Sequence, residues 1–195
     1  MPQLLVKVRK ARWYKSRPPF VLRGDIPADC LGDLNTSSQC MSVWVINDDE
    51  GNLKRVLCAL AATRDSIVAF DFLLFDQSIP DILGISVKQT DGATPDIHAN
   101  QNWHRDLVDL SARKLVELAI SVFENSEPAR RYSENEVLTM LKAGIQRNEL
   151  DLARVKEGVL KKVESGPLSR VAKLQRMSKE IWTASKIAWD KFVQS

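Results

Sequence analysis

The sequence predicts an α+β protein, with a small, mostly antiparallel or mixed sheet in the N-terminal half and a helical C-terminal half. Three observations predict it. Apolar and polar side chains alternate across residues 4–9, and β-branched and aromatic residues run together across 43–46. Beyond residue 97 the apolar positions recur at helical spacing almost to the end. On this pattern the chain divides into an α/β sheet region at 1–96, a helical region packed on it at 97–164, and an amphipathic basic helix at 165–195.

Taken in order, Leu4, Val6 and Val8 give the first strand an apolar face, and Leu5, Lys7 and Arg9 a face that turns basic. Pro18 and Pro19 interrupt any ladder, and Phe20, Val21 and Leu22 restart a short strand that Gly24 closes. Residues 25–40 are polar and turn-rich, as in a surface loop. Val43, Trp44, Val45 and Ile46 then make a strand buried on both faces, ended by Asn47, Asp48, Asp49 and Glu50. A helix over 52–64 buries Leu53, Val56, Leu57 and Leu60, with the acids at its positive end.

Residues 68–75 fit either period, but their aromatic content and the bounding Gln77, Ser78 and Pro80 favour a strand. Residues 82–88 read as a further strand. Pro95 stands in the first turn of a long helix over 97–123, with Trp103, Leu107, Leu110, Leu115, Leu118 and Val122 on its stripe. Ser133 and Glu136 have capping-box spacing and open a helix carrying Val137, Leu138, Leu141 and Ile145. After a break near Arg147 and Asn148 comes a second helix with Leu152, Val155, Val159 and Val163, completing a helical hairpin. Ser165, Gly166 and Pro167 mark the clearest boundary.

At 195 residues a self-sufficient core is expected, with roughly 70% of the unfolded surface buried. Cys30, Cys40 and Cys58 are an odd count in a chain that needs no staples, which predicts reduced thiols and a cytoplasmic protein. No apolar run suits a signal peptide or a membrane span. The net charge of +3 is unevenly spread. Residues 1–30 carry seven Lys or Arg against two acids, 31–130 eight against fifteen, and 131–195 thirteen against eight. Basic ends flanking an acidic middle suit packing of the ends on the middle, or an anionic partner.

No phosphate-binding glycine loop, serine elbow or paired-histidine motif is present, and no cofactor is predicted. The first expectation is therefore a non-catalytic accessory protein, one subunit of a complex. It would hold another protein, or a second copy of itself, through Met177, Ile181, Trp182, Trp189 and Phe192 of the last helix. The second is a nucleic-acid-binding protein. Lys7, Arg9, Lys10, Arg12, Lys15 and Arg17 are interleaved with Trp13, so phosphates would take the charges and bases the ring. The third is a metal-dependent enzyme on Asp48, Asp49 and Asp76, because hard cations favour carboxylate oxygen. Zinc on Cys30, Cys40, His98 and His104 is disfavoured, since nine residues separate the two cysteines and His104 falls on an apolar stripe.

Overall fold

The computed structural model describes residues 2–13, 22, 24–34, 36–47 and 50–164. Strand β1 (Gln3–Lys7) leads through a 3₁₀ turn at Lys10–Arg12 to the short helix α1 (Ala28–Leu31). Next come β2 (Met41–Ile46), α2 (Glu50–Ala61), β3 (Phe70–Asp76), α3 (Ser78–Ile82) and β4 (Ser86–Gln89). The remainder is α4 (Ile97–Asn102), β5 (His104–Val108), α5 (Ala112–Asn125), β6 (Arg130–Tyr132), α6 (Glu134–Gln146) and α7 (Glu157–Glu164).

The six strands form one antiparallel sheet in the order β4-β5-β2-β1-β3-β6, with the first strand in its middle. Alternation along the strands feeds two cores. Leu5, Trp44, Ile46, Phe70, Phe72 and Leu74 face α2, α4, α6 and α7, whose Val56, Leu57, Ala99, Leu141 and Val159 complete that cluster. Leu4, Val6, Val43, Leu73, Phe75 and Leu107 face the other way, onto Cys30 of α1, Ile79 of α3, and Leu118 and Val122 of α5. Helices thus cover both faces of the sheet, and the central strands are apolar on both sides because both sides are buried.

The α+β class holds, but strands and helices interleave through most of the chain. The clean division into a sheet half and a helical half is corrected. The expected helix over 97–123 is instead α4, β5 and α5. Asp96 caps α4 by accepting from the Ala99 amide at 2.9 Å, and Ser111 caps α5 by accepting from Lys114 at 3.2 Å. Between them, residues 104–108 pair with both β2 and β4. Leu107 and Leu110 share the stripe of Leu118 in sequence, yet pack from a strand and a turn, because ladder partners override the helical period. The strand expected over 82–88 begins only at Ser86, since Pro80 sits in the first turn of α3 and Gly84, at φ +61°, ends it.

Other expectations stand. Residues 70–76 are a strand, and α2 spans Glu50–Ala61. The Ser133 hydroxyl accepts from the Glu136 amide while the Glu136 carboxylate accepts from the Ser133 amide, a complete capping box. The second arm of the hairpin is shorter than expected. Leu150 and Val155 reach the core from turns, and α7 begins at Glu157. The strand expected at 20–22 and the helix at 165–195 fall largely or wholly outside the described residues. Among the described residues no helix is long and apolar enough to cross a membrane.

Candidate functional site

Side chains facing α2 change character at one level of the sheet. In β1 the inward positions run Leu5, Lys7; in β2 Trp44, Ser42; in β5 His104, Asp106. Ser42 stands opposite Asp106 and Asp106 opposite Lys88, while Lys7 stands opposite Phe72 and Phe72 opposite Arg130. The last turn of α2 brings Leu60 to this level, and beyond it the sheet is open. An apolar face that turns polar in two adjacent strands, β1 and β2, beside the polar His104 and Asp106 of β5, departs from ordinary patterning, and functional sites are one place where such departures occur.

On the β5 side the polar groups satisfy one another. The Thr90 hydroxyl donates to Asp106 Oδ2 at 2.8 Å, and the Ser42 hydroxyl to Asp106 Oδ1 at 3.0 Å. The single Thr90 proton is thereby used, so its oxygen is left to accept from His104 Nδ1 at 2.9 Å. The ring sits edge-on to Trp44 with centroids 4.9 Å apart. Ser42 is engaged by the carboxylate and not by the imidazole, so the group is a closed network rather than a nucleophile–base pair.

On the β1 side the charges are left over. The Asp33 carboxylate accepts from the Arg9 amide at 2.8 Å, from Arg12 Nη1 at 3.0 Å and from Trp13 Nε1 at 3.1 Å. Asp71 takes a bidentate pair from Arg131, at 2.6 and 2.8 Å, and the Lys10 amide at 2.9 Å. Both nearby carboxylates are committed. Lys7, Arg9, Lys10, Arg64 and Arg130 make no ion pair among the described residues. The Arg64 guanidinium lies 4.0 Å over the Phe70 ring and donates to the Ala69 carbonyl at 3.1 Å. Partial burial, then Arg64 and Arg9, hold the Lys7 ammonium below its usual range, and burial does the same to Arg64.

Of the residues expected to meet nucleic acid, the structure gathers Lys7, Arg9 and Lys10. It commits Arg12 to Asp33 and buries Trp13 to 2% exposure, so this ring offers no open face for a base to stack on. Lys15 and Arg17 lie outside the described residues, as do Met177, Ile181, Trp182, Trp189 and Phe192. Asp48 and Asp49 do too, while Asp76 accepts from the Ser78 amide at 2.8 Å where the chain enters α3. Cys30 is buried, its thiol donating to the Arg12 carbonyl at 3.0 Å, and His98 packs on Trp103. His104 is on a strand, not a helix. Among the described residues no three His, Cys, Asp or Glu side chains are grouped to hold a metal ion.

Sequence reasoning missed Arg64 and Arg130: the pairing of β1, β3 and β6 sets Arg130 two strands from Lys7, and Arg64, in the turn after α2, is held over Phe70 at the start of β3. The signal for Ser42 was readable, as a hydroxyl in phase with Trp44 and Ile46 on a buried strand face. Comparison with protein-family models, with curated proteins and with solved structures finds no match.

Proposed function

We propose that this protein is a non-catalytic binding subunit whose body receives an anionic macromolecule, nucleic acid held through its phosphates, at the basic end of β1. One observation carries this: five cations from three parts of the chain, Lys7, Arg9, Lys10, Arg64 and Arg130, converge there without an ion pair among the described residues. Burial, then Arg64 and Arg9, disfavour the charged form of Lys7, and like charges placed together are stabilised when polyanion phosphates enter. With Trp13 buried, charge rather than base stacking dominates the contact. The binding is accordingly sequence-tolerant and salt-sensitive. The test is retention of labelled single-stranded DNA and RNA. Retention that falls as salt rises is expected, and none at low salt ends the proposal.

A second reading, a protein partner for residues 168–192, is favoured by the covered sheet. Elements within 3–164 pack on both faces of it. This reading lays the apolar side of residues 165–195, with Trp182 and Trp189 on its flank in the sequence, against a partner, the apolar rows of the sheet being already packed by elements within 3–164. Deleting residues 166–195 tests it. A deleted chain that stays folded but elutes unchanged in size, and keeps every association of the full chain, sinks this reading.

A further inference from the structure

Beside Lys7 lies a cleft of about 310 Å³ whose lining includes Lys7, Asp33, Thr36, Ser37, Cys40 and Leu60. That volume is at the lower end of small-ligand sites. Its rim is a two-residue turn in which Ser37 and Cys40 exchange backbone hydrogen bonds at 2.9 Å. Ser38 and Gln39 both adopt positive φ, 50° and 63°, where asparagine and glycine are usual, so the turn is held in a costly shape. The Gln39 carbonyl is pinned by the Leu110 amide at 3.0 Å. The hydroxyls of Thr36 and Ser37 donate to no group among the described residues, unlike that of Ser42.

We propose that this cleft binds a phosphate monoester, its oxygens received by the Lys7 ammonium and the Thr36 and Ser37 hydroxyls and its organic body laid against Leu60 at the end of α2. A phosphoryl group fits better than a carboxylate for two reasons. It offers three terminal acceptors to donors arriving from two segments of chain, and it carries close to two negative charges toward Lys7, Arg9 and Arg64. The Asp33 carboxylate at the cleft wall does not oppose it, since Arg12, Trp13 and the Arg9 amide already compensate it. The monoester is either a free small molecule or the 5′-phosphate end of a strand. In the second case alone the inference rests on the polymer reading.

Cys40 reports on the cleft. It is the partly exposed thiol, while Cys30 and Cys58 are buried and pushed up to about 11 and about 12. The experiment measures iodoacetamide labelling of Cys40 by mass spectrometry in the full chain, at constant ionic strength. Inorganic phosphate should slow labelling at least threefold in a saturable way that chloride does not reproduce. Lys7→Met and Thr36→Val should each abolish the protection while the amide spectrum stays dispersed. Amide shifts at Ser37 and Ser42 during the same titration give a second readout that is independent of thiol reactivity. Better protection by a 5′-phosphorylated than a 5′-hydroxyl oligonucleotide assigns the strand end, and protection by phosphate but by neither oligonucleotide assigns a small molecule. Absence of both protection and shifts overturns the inference, as does equal protection by the two oligonucleotides where phosphate alone gives none. In the latter case the polymer reading survives without it.

Discussion

Arg55 and Asp96 are joined by two hydrogen bonds, Nε to Oδ2 at 2.6 Å and Nη2 to Oδ1 at 3.1 Å, with the carboxylate only 1% exposed. Asp96 also caps α4, and the guanidinium lies 5.5 Å from the centre of the Trp103 ring. The pair thus pins α2 to the segment that enters β5. Arg55→Ala leaves a buried carboxylate with only its cap, and such broken pairs cost about 3–5 kcal/mol. Urea unfolding should show the unfolding free energy lowered by that much, as a lower midpoint with the slope unchanged.

Asp33 holds the turn after β1 in the same way, through Arg12, Trp13 and the Arg9 amide. Asp33→Ala strands three donors at once, and a loss of about 3 kcal/mol or more follows. The specific signature is faster solvent exchange of the Trp13 indole proton. A variant as stable as wild type, with that proton still protected, would contradict the role.

The hydrogen bonds from Arg131, then the Lys10 amide, hold the Asp71 carboxyl below the usual carboxylate range. A depressed value in the folded state means stability that is present above the ordinary pKa of 3.8 and is lost as pH falls through the lowered one. Asp71→Asn should therefore flatten the acid limb of a stability–pH curve below about pH 4 and leave the neutral-to-alkaline limb parallel to wild type.

Gly144 of α6 faces Cys58 of α2, and a Cβ there would meet the sulfur at 2.7 Å. Glycine to alanine in a helix ordinarily gains up to about 1 kcal/mol. Here overpacking reverses the sign, and Gly144→Ala should cost about 1–3 kcal/mol. Cys58→Ala in the same chain should recover most of it, read as a coupling energy in a double-mutant cycle.

The elements most legible in the sequence were those whose local signals agree with their burial. The run of Val43 to Ile46, the amphipathic α2 and the Ser133–Glu136 box all point one way. The segment after Asp96 was illegible because its leucines satisfy a helical period, while the hydrogen-bonding groups of residues 104–108 are claimed by β2 and β4, partners at a distance in sequence. The candidate site was half legible. Lys7, Arg9 and Lys10 stand together in the chain. Trp13 looked like part of the same surface, yet its indole proton is satisfied by Asp33, twenty residues away. Arg130 joined the cluster only through strand order, and Arg64 only through the packing of the turn after α2 on Phe70, which no local pattern encodes.

The salt dependence of single-stranded oligonucleotide binding, compared between the wild-type chain and the Lys10→Glu/Arg130→Glu variant, tests the basic end of β1 most directly. Each phosphate contact adds about −0.7 to the slope of log affinity against log salt. The wild-type slope should be steep. The variant, which leaves Lys7 and its cleft intact, should bind at least tenfold more weakly with a slope shallower by about 1.4. Equal affinities and equal slopes for the two proteins would contradict the account.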